Sequence, residues 1–177
     1  MRCTLAWHFE QGGVPAKAYP YLSAAGRRLY DQSFVPEALD VYERARMIEP
    51  DAREYLTLEE ADRRLADLHL LRGRALFHMG RWSGAGESLA KADEFARLVG
   101  DDHLKSQTAT ELGTYYRFLH QFQEATAHFT EALTLAERVG DPRLRPIALH
   151  GLGAVNWADG DLDQSRHYML EGLSVAG

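Results

Sequence analysis

Three glycines spaced forty residues apart, Gly73, Gly113 and Gly153, constrain the fold more than any other feature of the chain. The columns around them agree: Trp82, Phe122 and Leu162; Ala85, Ala125 and Ser165; Leu89, Phe129 and Met169. Similarity at a fixed period of roughly 20–50 residues is the signature of a stacked repeat. In such an array each unit contacts only its neighbours. The sequence therefore predicts a repeat solenoid.

Within each unit the period is helical. Apolar residues recur at three- and four-residue steps, as in Phe122, Ala125, Phe129, Ala132 and Leu135, the spacing that lines one face of an α-helix. Alternating runs rich in Val, Ile and Thr, which mark strands, are absent. Val99-Gly100-Asp101 and Val139-Gly140-Asp141 are one stop signal used twice. Gly ends a helix in the left-handed conformation and Asp caps the next one. Pro142 suits a first helical position. Gly80, His120 and Gly160 share the second turn of each unit, and Thr57 with Glu60 has capping-box spacing. Nine helices are expected, at about 2–11, 15–31, 34–48, 58–79, 82–98, 102–119, 122–138, 142–158 and 162–175. Short connections force consecutive helices into antiparallel hairpins. Pro20 and Pro146 fall inside two of them, and each predicts a kink or a later start.

The 177 residues carry a net charge of −6, which disfavours non-specific binding to nucleic acid or anionic membrane. No apolar run approaches the roughly 18–20 residues that span a bilayer, and Met1–Glu10 lacks the apolar stretch of a signal peptide. Cys3 is the only cysteine, which excludes an intrachain disulfide and fits a reduced, cytoplasmic setting. The eight histidines show no His-x-x-x-His pair and no Cys partner, so no metal is expected. Asp159-Gly160-Asp161-Leu162-Asp163 begins like a calcium loop. Gln164 then stands where that loop needs Gly, and Glu171 comes one position late. This segment reads as an inter-helix turn with Asp161 or Asp163 capping. A Gly-x-Ser-x-Gly elbow and a paired Cys and His are both missing. The chain reads as a non-enzyme without cofactors.

The spacing resembles the tetratricopeptide repeat. One unit supplies Leu112, Gly113, Tyr116, Phe122, Ala125, Phe129 and Ala132; the one before it Gly73, Leu76, Trp82, Ala85, Leu89 and Ala92. An earlier unit supplies Gly26, Leu29, Val35, Ala38, Tyr42, Ala45 and Pro50, and the last Leu152, Gly153, Leu162, Ser165 and Met169, with Asn156 departing at the aromatic position. The resemblance implies an all-α, right-handed solenoid of hairpins, here one domain over 1–177 with extended repeats. Small residues would sit where helices cross and large ones beside them. Leu5 to Gly12 and Lys17 to Leu22 resemble the start of the helical-repeat region of bacterial signal-transduction ATPases, cyclase-linked or transcription-activating. The phosphate-binding Gly-x-x-x-x-Gly-Lys-Ser/Thr of an ATPase is missing. The chain stops at Gly177 just past a second helix, so a fragment of a longer protein is expected, with self-association through uncapped ends open to it.

In this family the first helix of each hairpin lines a concave face that holds partners. Carried onto this sequence, that face comprises Leu70, Arg74, Phe77 and His78; Gln107, Thr110, Thr114, Arg117 and Phe118; and His150, Ala154 and Trp157. Arg with aromatics is the composition of interface anchors; aromatics at helical spacing also serve as core. The function implied is a non-catalytic scaffold for a protein or peptide, including another domain of the same polypeptide. The alternative is a sensor of a small molecule or short peptide within a multidomain signalling ATPase or transcription regulator.

Overall fold

The computed structural model of the chain describes residues 8–9, 12–49 and 56–176. Among them are eight α-helices and no strand: α1 (Pro15–Asp31), α2 (Val35–Met47), α3 (Leu58–His78), α4 (Trp82–Val99), α5 (Asp102–Phe118), α6 (Phe122–Val139), α7 (Leu144–Asp159) and α8 (Leu162–Ala176). Each stands where the periodicity put it, with ends shifted by at most two residues. The expected helix 2–11, most of the Leu5–Gly12 segment and Pro50 lie outside the described residues, although His8 and Phe9 are helical.

Local chemistry explains the boundaries. Thr57 and Glu60 form a reciprocal capping box at the start of α3. Asp101 accepts hydrogen bonds from the amides of His103 and Leu104 and so caps α5. Asp161 accepts one from Gln164, which confirms the turn reading of that acidic segment. α1 runs through Pro20. α7 starts two residues later than the spacing suggested, at Leu144 instead of 142, which puts Pro146 in the first turn. A missing N–H costs nothing there.

One device closes all four hairpins. Ser33, Gly80, His120 and Gly160 adopt positive φ, and the next amide reaches back to a helix carbonyl, as in Arg81 N to Leu76 O at 2.9 Å. This is how a helix end satisfies its free carbonyls while reversing direction. Ser33 and His120 do so without being glycine.

The glycine column is steric. A Cβ on Gly26, Gly73, Gly113 or Gly153 would lie 2.3, 2.7, 2.9 and 2.9 Å from Tyr42, Leu89, Phe129 and Met169 respectively. Each glycine lets its helix press onto the large residue of its hairpin partner. Ala38, Ala85 and Ala125 are fully buried. Ser165 takes their place in the last hairpin and donates to the Gly153 carbonyl at 2.8 Å.

The chain divides into two compact units, Met1–Val99 and Gly100–Gly177. In the first, α1 pairs with α2 and α3 with α4, and α3 also packs on α2. Arg72 of α3 stitches these helices, donating to Glu43 of α2 at 2.8 Å and to the Ser88 hydroxyl of α4. In the second, α5 pairs with α6 and α7 with α8, while α7 lies on both α5 and α6. Phe129 anchors that core with Ala125, Leu152 and Val155.

Candidate functional site

Within the first unit a cleft of about 490 Å³ opens between the two leading helices, α1 and α3. Helical spacing builds its walls. Ser23, Arg27 and Asp31 recur every four residues along α1, and Arg64, Asp67 and Leu71 run along α3. Tyr19 closes it at one end, its phenol donating to the Arg64 carbonyl across the two helices at 3.1 Å. Arg27, Arg28 and Asp31 are exposed, so the cleft is open to solvent.

The lining carries three guanidinium groups, Arg27, Arg28 and Arg64, against two carboxylates, Asp31 and Asp67. Arg27 meets Asp67 across the cleft at 3.5 Å, a long contact between half-exposed groups and so a weak one. Arg28 and Arg64 make no ion pair among the described residues. The Ser23 hydroxyl is shut off from water and has no hydrogen-bond partner among the described residues. So is the phenol of Tyr42, which lies against Gly26; burial pushes its pKa above the ordinary 10, against the pull of Arg27. An unpaired hydroxyl in a dry setting is costly, and beside Arg28 and Arg64, which have no ion-pair partner among the described residues, that of Ser23 makes a place suited to an anionic, hydrogen-bonding group.

Arg74 and His78, expected on the concave face, continue the α3 stripe of Arg64, Asp67 and Leu71 at three- and four-residue steps. Arg74 is half-buried and His78 exposed, with its ring edge-on to Tyr30 of α1 at 5.7 Å. Phe77 packs within its own hairpin, T-shaped on Trp82 at 5.2 Å. Leu70 presents no surface. It is 2% exposed, because α3 is packed from several sides along Leu68–Leu71 and all four residues are buried.

The second unit holds the rest. Gln107, Thr110, Thr114 and Arg117 are half-buried on α5; Phe118 beyond them is 46% exposed and Trp157 of α7 67%. The hydroxyls of Thr110 and Thr114 donate to their own helix at 2.9 and 3.0 Å, which leaves only their oxygens and methyl groups for a partner. Arg117 makes no ion pair among the described residues. Ala154 is half-buried, and His150 sits apart, at a hollow between α7 and α8. The sequence reading missed Ser23, Arg27, Arg28 and Arg64, because the concave face was drawn from α3 onward. The available signal was the matching phase of the Ser23–Arg27–Asp31 and Arg64–Asp67–Leu71–Arg74 stripes.

Among the described residues no helix is long and apolar enough to cross a membrane, and no three His, Cys, Asp or Glu side chains gather as metal ligands. No curated protein matches the sequence. Solved structures do. The crystal structure of BtubC (BKLC) from P. vanneervenii is 18% identical with a TM-score of 0.79 over 91% of this chain. The apo form of RapI is 17% identical (TM-score 0.76, 92% covered), and the Rap conjugation gene regulator of plasmid pLS20, in complex with the Phr* peptide, is 20% identical (TM-score 0.75, 93% covered). The chain spans 64%, 43% and 44% of the lengths of these three. At such identities the likeness speaks to the fold, an α-solenoid of antiparallel helix hairpins. A family model described as tetratricopeptide repeat matches residues 64–138 and 106–176. Those matches together run over more than half of the chain, through three of the four crossings where a glycine meets a large side chain, and the chain belongs to the tetratricopeptide-repeat family.

Proposed function

We propose that the chain is a non-catalytic binding module, one repeat domain over 1–177, whose first unit holds an acidic peptide segment of a partner protein or of another domain. The observation that carries this is the open cleft between α1 and α3, where Arg28, Arg64 and the Ser23 hydroxyl meet and, among the described residues, neither guanidinium has an ion-pair partner and the hydroxyl no hydrogen-bond partner. Guanidinium groups bind carboxylates in paired, directional hydrogen bonds. A framework held by packed helices loses little conformational entropy when a segment settles into it. The peptide held by the pLS20 regulator supports the reading by likeness of fold. Exposed Phe118 and Trp157 with Arg117 offer apolar anchors for a partner on the second unit. The alternative is a small-molecule or short-peptide sensor. The cleft volume favours it, since about 490 Å³ lies within the range of roughly 300–1,000 Å³ that small ligands occupy.

The test is selection of a displayed random-peptide library on the chain and on its Arg28→Glu/Arg64→Glu variant. The wild type should enrich peptides rich in Asp and Glu, and the variant should lose that enrichment while melting at the same temperature. Selected peptides with no acidic bias would sink the proposal.

A further inference from the structure

Arg27 and Asp67 face each other across the α1–α3 cleft. The guanidinium donates to the carboxylate at 3.5 Å, and the two side chains are 53% and 44% exposed. The backbone behind each is packed in place. Gly26, next to Arg27, is pressed onto the fully buried ring of Tyr42. Asp67 sits between Ala66 and Leu68, both fully buried. The Tyr19 phenol ties α1 to the Arg64 carbonyl of α3 close by. The Arg27–Asp67 contact can therefore open by rotation of two side chains while the helices stay where they are. A long ion pair between half-exposed groups is weak, so opening it costs little. The other charges of the cleft stand differently: Arg28, Arg64 and Asp31 line it and make no ion pair among the described residues. Inside the cleft, Arg27 is the guanidinium that already meets a carboxylate of the chain itself.

We infer that Asp67 is a specificity residue: it holds the place of a ligand's carboxylate on Arg27 and yields it when an acidic segment binds. The inference rests on the acidic-peptide reading of the cleft. An acidic ligand brings to Arg27 the same chemical group that Asp67 supplies, so it gains only the difference between the two contacts. Asp67 holds Arg27 by one long hydrogen bond. A carboxylate that reaches the guanidinium in the paired, two-bond geometry is the stronger partner and displaces it. A neutral amide side chain brings no charge to exchange for that of Asp67, and it leaves the contact closed. Once displaced, Asp67 remains beside the incoming anion and repels it. Asp67 thus lowers the affinity for every acidic ligand and sharpens the choice of carboxylate over amide.

A double-mutant cycle separates displacement from simple repulsion. The probe is a hexaglutamate peptide blocked at both ends, titrated into the chain and followed by two-dimensional NMR, which reads weak binding. Asp67→Asn should tighten binding by about three-fold, the scale of a weak surface ion pair. Arg27→Gln should weaken it. On the Arg27→Gln background Asp67→Asn should gain less than about 1.5-fold, because Asp67 then withholds no guanidinium. All three variants should melt with the wild type, since both side chains are half-exposed. Equal gains on the two backgrounds would make Asp67 a mere repelling charge and overturn the inference, as would no gain at all; in either case the proposed function stands if the wild type binds. Failure of the wild type and of every variant to bind the peptide would overturn the proposed function and the inference with it.

Discussion

Phe129 is held between two glycines from different helices. A Cβ at Gly113 would lie 2.9 Å from its ring and one at Gly151 2.3 Å, while the ring itself is 2% exposed. A ring pressed this closely by two helices has little room to yield to an added methyl. Gly151→Ala gains about 1 kcal/mol in helix propensity but overpacks the core at a cost of about 1–3 kcal/mol. The expected result is a net loss of stability in chemical denaturation, restored in part by adding Phe129→Leu. If Gly151→Ala stabilises the chain, α7 does not approach α6 as described. Gly113 was legible in the sequence because it belongs to the forty-residue column. Gly151 was not: its counterparts are Glu111 and Leu71, and only the size of Phe129 explains it.

Helices were legible because their punctuation is chemical and local: a capping box, an Asp after a Gly, a turn residue at positive φ. Exposure along a helix was less so, since it depends on what packs from other directions. Leu70 has the phase of an open-face residue and is buried all the same, and the α1 wall of the cleft was passed over. The turn before α7 shows how local chemistry ties elements together. Asp141 accepts from the Arg143 guanidinium at 2.7 Å and from its amide at 3.0 Å, and it meets His103 of α5 at 3.3 Å. The Arg143 hydrogen bonds, with a smaller contribution from His103, hold its carboxyl well below the ordinary value of 3.8. A depressed folded-state pKa means stabilisation that is complete above the unfolded value and is lost as pH falls through the folded one. Asp141→Asn should therefore lower the melting temperature at pH 7. The gap should begin to narrow only below the ordinary carboxylate value and close once the wild-type carboxyl is protonated. A gap that stays constant down to the lowest pH at which the chain folds would assign the effect to turn geometry instead of charge.

At the scale of the whole chain, stability follows from how repeats share contacts. The columns foretold the stacked hairpins because each crossing repeats one steric solution, whereas the cleft depends on charged residues that no column repeats. In a repeat array the energy resides within hairpins and between neighbours, and a lesion spreads only by way of neighbours. Ala125 is fully buried beside Phe129, Leu152 and Val155 in the second unit. Ala125→Arg would force a long cation into that crossing, adding overpacking to an unpaired buried charge, for a loss of at least about 1–3 kcal/mol. Hydrogen exchange followed by mass spectrometry resolves where the loss falls. Amides of α5–α8 should lose protection, while those of α1–α3, whose core is built from Tyr42, Leu65, Leu68 and Leu76, should keep theirs under mild denaturant. A uniform rise in exchange from α1 to α8 would mean that the chain opens as one cooperative body, and the neighbour-by-neighbour account of its stability would be wrong.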